Sequence, residues 1–312
     1  MIPACLIAAG LLCAMISGCA KQEELPESEP VNEEPAEPRI LTWEEVKQIT
    51  DVDQRLDAFV RLRDSKPSFD EQVELIRLGL MEFNEIAQVH LLVQILNDGR
   101  RKITLTKPRP HEEENPNQAI KDISVFAGMH VDVLNIYWCP NITDFSPLKT
   151  AKVRSLSILS CPGFSDVGVL NHIEGLSFVN INSSGLNDLR PLRVPQLKNL
   201  SLAGGSRLTS LEGLEGMTIN RLFISNTPSL TDYSALSKID GLKSLYLNNV
   251  PIKDLEYITD LELEYLLLTG CRKLQSLEGL ESMRSLKVLD FSNSSLQDEF
   301  RQIKGQLPSI NR

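Results

Sequence analysis

Pairs of apolar residues separated by one position return along this chain every 21 to 23 residues. The eight pairs are Leu134 with Ile136, Leu156 with Ile158, Val179 with Ile181, Leu200 with Leu202, Leu222 with Ile224, Leu245 with Leu247, Leu266 with Leu268, and Leu289 with Phe291. A fixed period of this length is typical of solenoids, in which each unit buries its apolar face only by stacking on the next. The repeat therefore predicts the architecture of more than half of the chain, with a long open surface in place of a closed pocket.

Each pair predicts a short strand, and a second apolar set after it turns the chain back. In one unit that second set is Ile252, Leu255 and Ile258. The segment Arg101–Leu105 has the pattern of a first, degenerate strand, and the polar, proline-bounded residues 107–117 after it predict a surface loop. The apolar periodicity then resumes at Ile120, Ile123 and Phe126, each 22 residues before its counterpart in the next unit.

Over about 200 residues, these units resemble the short leucine-rich repeats of bacterial internalin-like proteins. The resemblance implies an α/β solenoid, with a curved parallel β-sheet on its concave side and short 3-10 or extended segments on its convex side. The family motif places Asn or Cys three residues after each pair, and that position holds Cys139, Cys161 and Cys271 in three units. We expect these cysteines to be buried thiols, and a disulfide between Cys139 and Cys161 is the alternative.

The amino terminus has the pattern of an export signal. An apolar run over residues 2–16, too short to span a bilayer as a mature helix, ends in Ile16-Ser17-Gly18-Cys19. This ending resembles the lipobox of bacterial lipoproteins, although no Lys or Arg precedes the run. The resemblance implies a signal peptide over residues 1–18 and a lipid on Cys19. It also implies anchoring to a bacterial membrane in the cell envelope, the outer membrane where the cell has one. An unlipidated signal or an uncleaved anchor is the alternative.

Three further regions follow Cys19. Residues 19–40 hold seven glutamates and four prolines with almost no large apolar side chain, which predicts a disordered tether. Residues 41–100 carry apolar residues at helical spacing up to Leu96, which predicts a helical cap over the first open edge, or else an independent binding domain. Residues 101–312 form the repeat domain, and Phe300, Ile303 and Leu307 predict a short helix that caps its carboxyl end.

The chain offers little support for catalysis, cofactors or nucleic acid. Its net charge is −10, which disfavours binding to phosphate backbones. We recognise no nucleophile motif, phosphate-binding loop or metal-ligand spacing, so we expect no enzyme activity, no cofactor and no metal site. Five aspartates recur after the strands, and we interpret them as turn-capping residues: Asp144, Asp166, Asp188, Asp232 and Asp254.

The concave face carries the candidate binding residues. Side chains alternate along a strand, so the residue between the two members of a pair points outward, as does the residue after them. Most of these positions are small and polar, but Phe223, Tyr246 and Leu267 occupy three consecutive units and predict one exposed apolar strip. Tyr137, Ser225 and Asn248, from the second outward position, complete the predicted partner-binding set.

These observations predict a membrane-anchored repeat protein that binds a protein or peptide partner through its concave face. A cell-wall or surface glycan is the second candidate ligand. A structural envelope scaffold without a specific ligand is the alternative from another class. A repeat fold does not by itself specify a function.

Overall fold

The computed structural model describes residues 39–106, 115–182, 184–296 and 298–299. The predicted signal peptide, Cys19 and nearly all of the predicted tether lie outside these residues. So do most of the predicted surface loop and the residues Phe300, Ile303 and Leu307 of the predicted carboxyl-terminal cap. Among the described residues, no helix is both long enough and apolar enough to cross a membrane.

Three helices precede the sheet: α1 (Trp43–Lys47), α2 (Val52–Asp64) and α3 (Phe69–Phe83). Capping boxes begin two of them, because Thr42 exchanges hydrogen bonds with Glu45 before α1, and Ser68 does so with Glu71 before α3. These bonds satisfy backbone N–H groups that the first helical turn leaves without partners. The sequence-based prediction of a helical segment is confirmed as far as Phe83.

The three helices cover the first end of the repeat core. The Arg63 side chain is 1% exposed, and its Nη1 donates to the carbonyls of Val125 (2.9 Å) and Ala127 (2.8 Å) in the first coil. At Gly79 in α3, an added Cβ would lie 2.8 Å from both Phe59 and Val125, so only glycine allows this approach. The helical segment is therefore a cap on the solenoid, as predicted.

The helical prediction is wrong beyond Phe83. The segment Leu91–Ile95 is a strand, β1, that pairs antiparallel with β2 (Arg101–Leu105). The turn between them places Gly99 at φ +82°, and Asp-Gly is a strong signal for such a hairpin. The physical reason is the open edge of β2: pairing with it satisfies backbone groups of β2 that a continued helix would leave open.

Eight further strands follow β2 in the order of the chain. They are β3 (His130–Tyr137), β4 (Lys152–Leu159), β5 (Phe178–Asn182), β6 (Asn199–Ala203), β7 (Arg221–Ser225), β8 (Ser244–Asn248), β9 (Tyr265–Leu267) and β10 (Val288–Asp290). The ten strands form one sheet in sequence order, and every neighbouring pair from β2 to β10 is parallel. Leu134 pairs with Leu156, and Leu156 with Val179, so the predicted apolar pairs lie in register.

The returning side of each coil is short and irregular. Its 3-10 segments are Pro116–Ala119, Ser124–Phe126, Ser146–Thr150, Val167–His172, Ser234–Lys238 and Leu280–Ser282. Apolar side chains from this side meet those of the strands in one core that runs through successive coils; Leu148, Leu192 and Leu236 are each 0% exposed within it. The protein is thus an α/β leucine-rich repeat solenoid with a helical amino-terminal cap.

The three cysteines of the repeat motif are buried free thiols, which confirms the expectation from the sequence. The Cys161 thiol donates to the carbonyl of Leu159 (3.4 Å), and the Cys271 thiol donates to the carbonyl of Leu247 (3.4 Å) in the preceding coil. Burial raises the pKa of the Cys271 thiol to about 11. These side chains therefore act as small apolar groups with one weak hydrogen bond each.

Candidate functional site

Three large apolar side chains lie in one row across the outward side of the sheet, which we call the concave face. The strand register places Phe223 beside Tyr246 and Tyr246 beside Leu267. The rings of Phe223 and Tyr246 lie 6.2 Å apart between centroids, with an angle of 41° between their planes. All three side chains are partly exposed. The strip predicted from the sequence is therefore a contiguous feature of the surface.

A fourth side chain of this surface, Tyr265, was missed by the sequence analysis. It precedes the apolar pair of β9, lies in register with Ser244, and is 38% exposed. The signal was present in the sequence, because alternation along the strand turns the residue before each pair outward as well. We call Phe223, Tyr246, Leu267 and Tyr265 the aromatic patch. It combines apolar area with two phenol hydroxyls, and such residues are enriched among partner-binding anchors.

The other predicted binding residues are distributed unevenly. Asn248 is exposed and lies in register with Ser225, next to the patch. Ser225 itself is only 5% exposed, so the expectation that it presents an open contact surface is wrong. Its short side chain is flanked on the two neighbouring strands by Ala203 and Asn248.

Tyr137 belongs to a different part of the face. It lies on β3, four strands before Phe223, a separation of roughly 19 Å at ordinary strand spacing. Its ring packs edge-on against Trp138, with centroids 5.8 Å apart and planes at 81°. Burial raises the pKa of Tyr137, and a hydrogen bond with Ser157 opposes that shift. Tyr137 therefore does not join the aromatic patch.

Trp138 is a second surface residue that the sequence analysis did not identify. It is 38% exposed, although its backbone lies in the left-handed region at φ 53°. Bulky side chains rarely adopt this conformation, which fits Asn or Gly better. The same position after a strand is left-handed in other coils, at Gly204, Asn226 and Asn249. The turn geometry of the solenoid thus holds Trp138 at the rim of the concave face.

The recurring aspartates cap turns, as the sequence analysis interpreted them. Each carboxylate accepts a hydrogen bond from the backbone N–H two residues later, at 2.8 Å for Asp144, 2.7 Å for Asp166, 2.9 Å for Asp188, 3.0 Å for Asp232 and 3.2 Å for Asp254. Hydrogen bonds from Ser234 and Ser210 lower the pKa of Asp232. Within the described ranges, no group of His, Cys, Asp or Glu side chains could hold a metal ion.

No protein-family model matches this sequence, and no curated protein is detectably similar to it. Solved structures with a similar fold include the following three. An internalin from Listeria monocytogenes is 17% identical with a TM-score of 0.36, covering 67% of this chain and 78% of that one. An internalin C2 from the same species is 16% identical with a TM-score of 0.41, covering 61% and 80%. The leucine-rich repeat domain of the type III effector XopL is 13% identical with a TM-score of 0.41, covering 88% and 95%.

Proposed function

We propose that this protein binds a protein or peptide partner through the aromatic patch on its concave face, and that its role is binding and not catalysis. The single observation that carries the proposal is the row of Phe223, Tyr246 and Leu267 in register on three neighbouring strands. Large apolar side chains on an otherwise small and polar surface are unfavourably exposed to water. A partner that covers them removes this unfavourable exposure.

The composition around the patch fits a partner with mixed chemistry. Arg221 lies on the same strand as Phe223, and Asp290 is in register with Leu267 at the opposite end of the row. An apolar centre with a charged rim is the usual anatomy of a specific protein interface. A glycan would find few hydrogen-bonding groups within the patch itself, because Phe223 and Leu267 offer none.

The test is crosslinking in living cells with a photoreactive phenylalanine analogue at position 246. We expect one protein species to be captured. That species should disappear from the Phe223→Asp, Leu267→Asp background, in which position 246 still carries the crosslinker. Tyr257→Asp is the matched control, because Tyr257 is 37% exposed but lies outside the strands. A folded patch variant that still captures the same species would refute the proposal, and a wild type that captures nothing stoichiometric would support a scaffold.

Membrane anchoring is a separate proposal that rests on the sequence alone. We propose that lipid on Cys19 holds the protein to a bacterial membrane of the cell envelope, the outer membrane where there is one. Several acyl chains on one residue anchor a protein far more stably than one. Mass spectrometry of the mature amino terminus should find a lipid-modified residue 19, and Cys19→Ser should release the protein from washed membranes. An unmodified Cys19 in membrane-bound protein would exclude this anchor.

A further inference from the structure

A second feature of the concave face lies outside the aromatic patch. A hollow of about 660 Å³ lies at the amino-terminal ends of β4, β5 and β6, beside the turn that joins β1 to β2. Its lining includes Arg100, Arg154, Ser155, Ser177, Phe178 and Asn199. Hollows that hold small ligands measure about 300–1,000 Å³, so this one has room for one or two sugar-sized groups.

The polar side chains of the hollow have unused hydrogen-bonding capacity. The side chains of Arg154, Ser155 and Asn199 make no hydrogen bond to any residue that the structure describes. Arg100, in contrast, is fixed by Asp98, whose carboxylate accepts from its Nε at 2.7 Å. Arg100 and Asp98, which also lines the hollow, thus neutralise each other, while three further polar groups, one of them cationic, are available to a ligand.

The charge around the hollow favours an anion. Lys198 and Arg221 lie at its border, since Lys198 adjoins Asn199 in sequence and Arg221 is in register with Asn199. Neither these two nor Arg154 forms an ion pair within the described residues, although the whole chain carries a net charge of −10. Lysines further along the same side are neutralised: Lys243 by Glu262 at 2.8 Å and Lys287 by Glu264 at 2.7 Å.

The aromatic ring of Phe178 lies among these polar groups. Phe178 is 37% exposed, and the register places it between Ser155 and Asn199 on the two neighbouring strands. A sugar ring has an apolar face of C–H bonds that packs on an aromatic ring, and hydroxyls around its rim that pair with Ser and Asn. A carboxylate on such a ring would pair with a guanidinium through charge-assisted hydrogen bonds.

We propose that this hollow binds an acidic saccharide, a sugar chain whose rings carry carboxylates. Phe178 stacks against one ring, Ser155 and Asn199 bond its hydroxyls, and Arg154 pairs with a carboxylate. The site is separate from the aromatic patch, and its failure would leave the proposed protein partner untouched.

The experiment is calorimetric titration of the whole protein with tetragalacturonate. Maltotetraose serves as the neutral saccharide and polyglutamate as the acidic peptide. We expect tetragalacturonate to bind, and Phe178→Ala and Arg154→Gln each to weaken binding at least about tenfold. Phe178→Trp should retain binding. Arg207→Gln, at an exposed arginine away from the hollow, should leave it unchanged.

Three results would each overturn the proposal. The neutral saccharide could bind as tightly as the acidic one, which would remove the role of the arginine. Polyglutamate could bind as tightly with no effect of Phe178→Ala, which would mean attraction by charge alone. Tetragalacturonate could fail to bind at millimolar concentration in protein whose thermal unfolding is normal.

Discussion

Asn249 donates a hydrogen bond from its Nδ2 to the Oδ1 of Asn226, 2.8 Å away, and both residues hold left-handed backbone at φ 53° and 51°. Each follows a strand directly, so the bond ties two neighbouring coils at the turn where the chain leaves the sheet. Asn serves both needs at once, because it tolerates this conformation and carries a donor and an acceptor.

The two roles of Asn226 can be separated by substitution. Asn226→Gly should lose only the side-chain bond, at about 0.5–1.5 kcal/mol of unfolding free energy. Asn226→Ala should lose the bond and also gain left-handed strain of about 1–2 kcal/mol. Urea unfolding followed by circular dichroism measures both, and an alanine variant as stable as the glycine variant would contradict the expectation.

Two glycines should respond to alanine in opposite directions. At Gly163 an added Cβ would lie 2.1 Å from the Ile142 carbonyl oxygen of the preceding coil, so Gly163→Ala should destabilise by roughly 1–3 kcal/mol. At Gly205 the nearest atoms are side chains of Leu208 and Thr227 at 3.6 Å, an ordinary contact. Gly205→Ala should therefore stabilise by about 0.4–1 kcal/mol, through a less flexible unfolded chain. Thermal unfolding of both variants tests this prediction. An equal change in the two unfolding temperatures would argue against close contact between the coils at Gly163.

Buried threonines provide another matched pair. Thr227 is 0% exposed and its hydroxyl has no hydrogen-bond partner, so Thr227→Val should be neutral or stabilising. The Thr104 hydroxyl accepts from Asn135 Nδ2 at 3.1 Å, so Thr104→Val leaves a buried amide unpaired. We expect a loss of about 1–3 kcal/mol for the second variant. Chemical denaturation gives both values, and a reversed order would show that the Thr227 hydroxyl is satisfied in solution.

The raised pKa of Cys271 makes stability depend on alkaline pH. Its thiol has a pKa of about 11 in the folded protein against an ordinary value of 9.0. Above pH 9 the unfolded chain releases this proton while the folded protein keeps it, so the free energy of unfolding should fall as pH rises to 11. The loss from this residue is on the order of 2–3 kcal/mol.

Cys271→Ser supplies the control for that dependence, because serine does not ionise in this range. The difference in unfolding free energy between wild type and Cys271→Ser, measured from pH 8 to pH 11, separates the thiol, with its electrostatic effect on Tyr233, from the other ionisable groups. Parallel curves for the two proteins would rule out the proposed cause.

The outer edge of β1 should limit solubility beyond Leu91, whose carbonyl accepts a hydrogen bond from Arg77 (3.3 Å). Leu92 is 46% exposed and Ile95 is 69% exposed on the first strand of the sheet, and no residue of the strand is charged. Such an edge invites pairing with another chain. Ile95→Lys should reduce self-association in analytical ultracentrifugation without lowering the unfolding temperature, whereas Val52→Lys, at a 62% exposed helical residue, should not. Equal behaviour of the two variants would exclude the edge as the cause.

Local patterns predicted the repeat core and the first helices because their causes are local. An apolar pair such as Leu222 and Ile224 is buried in every coil by the same neighbours, and Ser68 caps α3 within four residues. The strand Leu91–Ile95 was not predictable in this way. Its apolar run is compatible with either period, and the open edge of β2, which is a tertiary feature, decides between them.

The candidate site could be predicted from the sequence only in part, for a similar reason. Strand alternation correctly predicts that Phe223 and Tyr246 face outward. Applied to the residue before each pair, it also predicts that Tyr265 faces outward. The burial of Ser225 was beyond the sequence, because strand alternation places the residue outward without specifying how far its surroundings cover it. The hollow beside Phe178 also required the structure, since the β1–β2 turn and β6 are distant in the chain.

The hydrogen bonds from Arg63 to the carbonyls of Val125 and Ala127 limit where repeats can be added to such a protein or removed from it. Among the described residues, the Arg63 guanidinium makes these bonds only to the first coil. An extra coil inserted between the helices and that coil would leave the guanidinium buried without these two acceptors. Between β5 and β9 each strand pairs in parallel and in register with the next, so a unit added or deleted there would meet the same kind of strand on both sides. Repeats should therefore be gained or lost in the interior of the array, with the helical end retained.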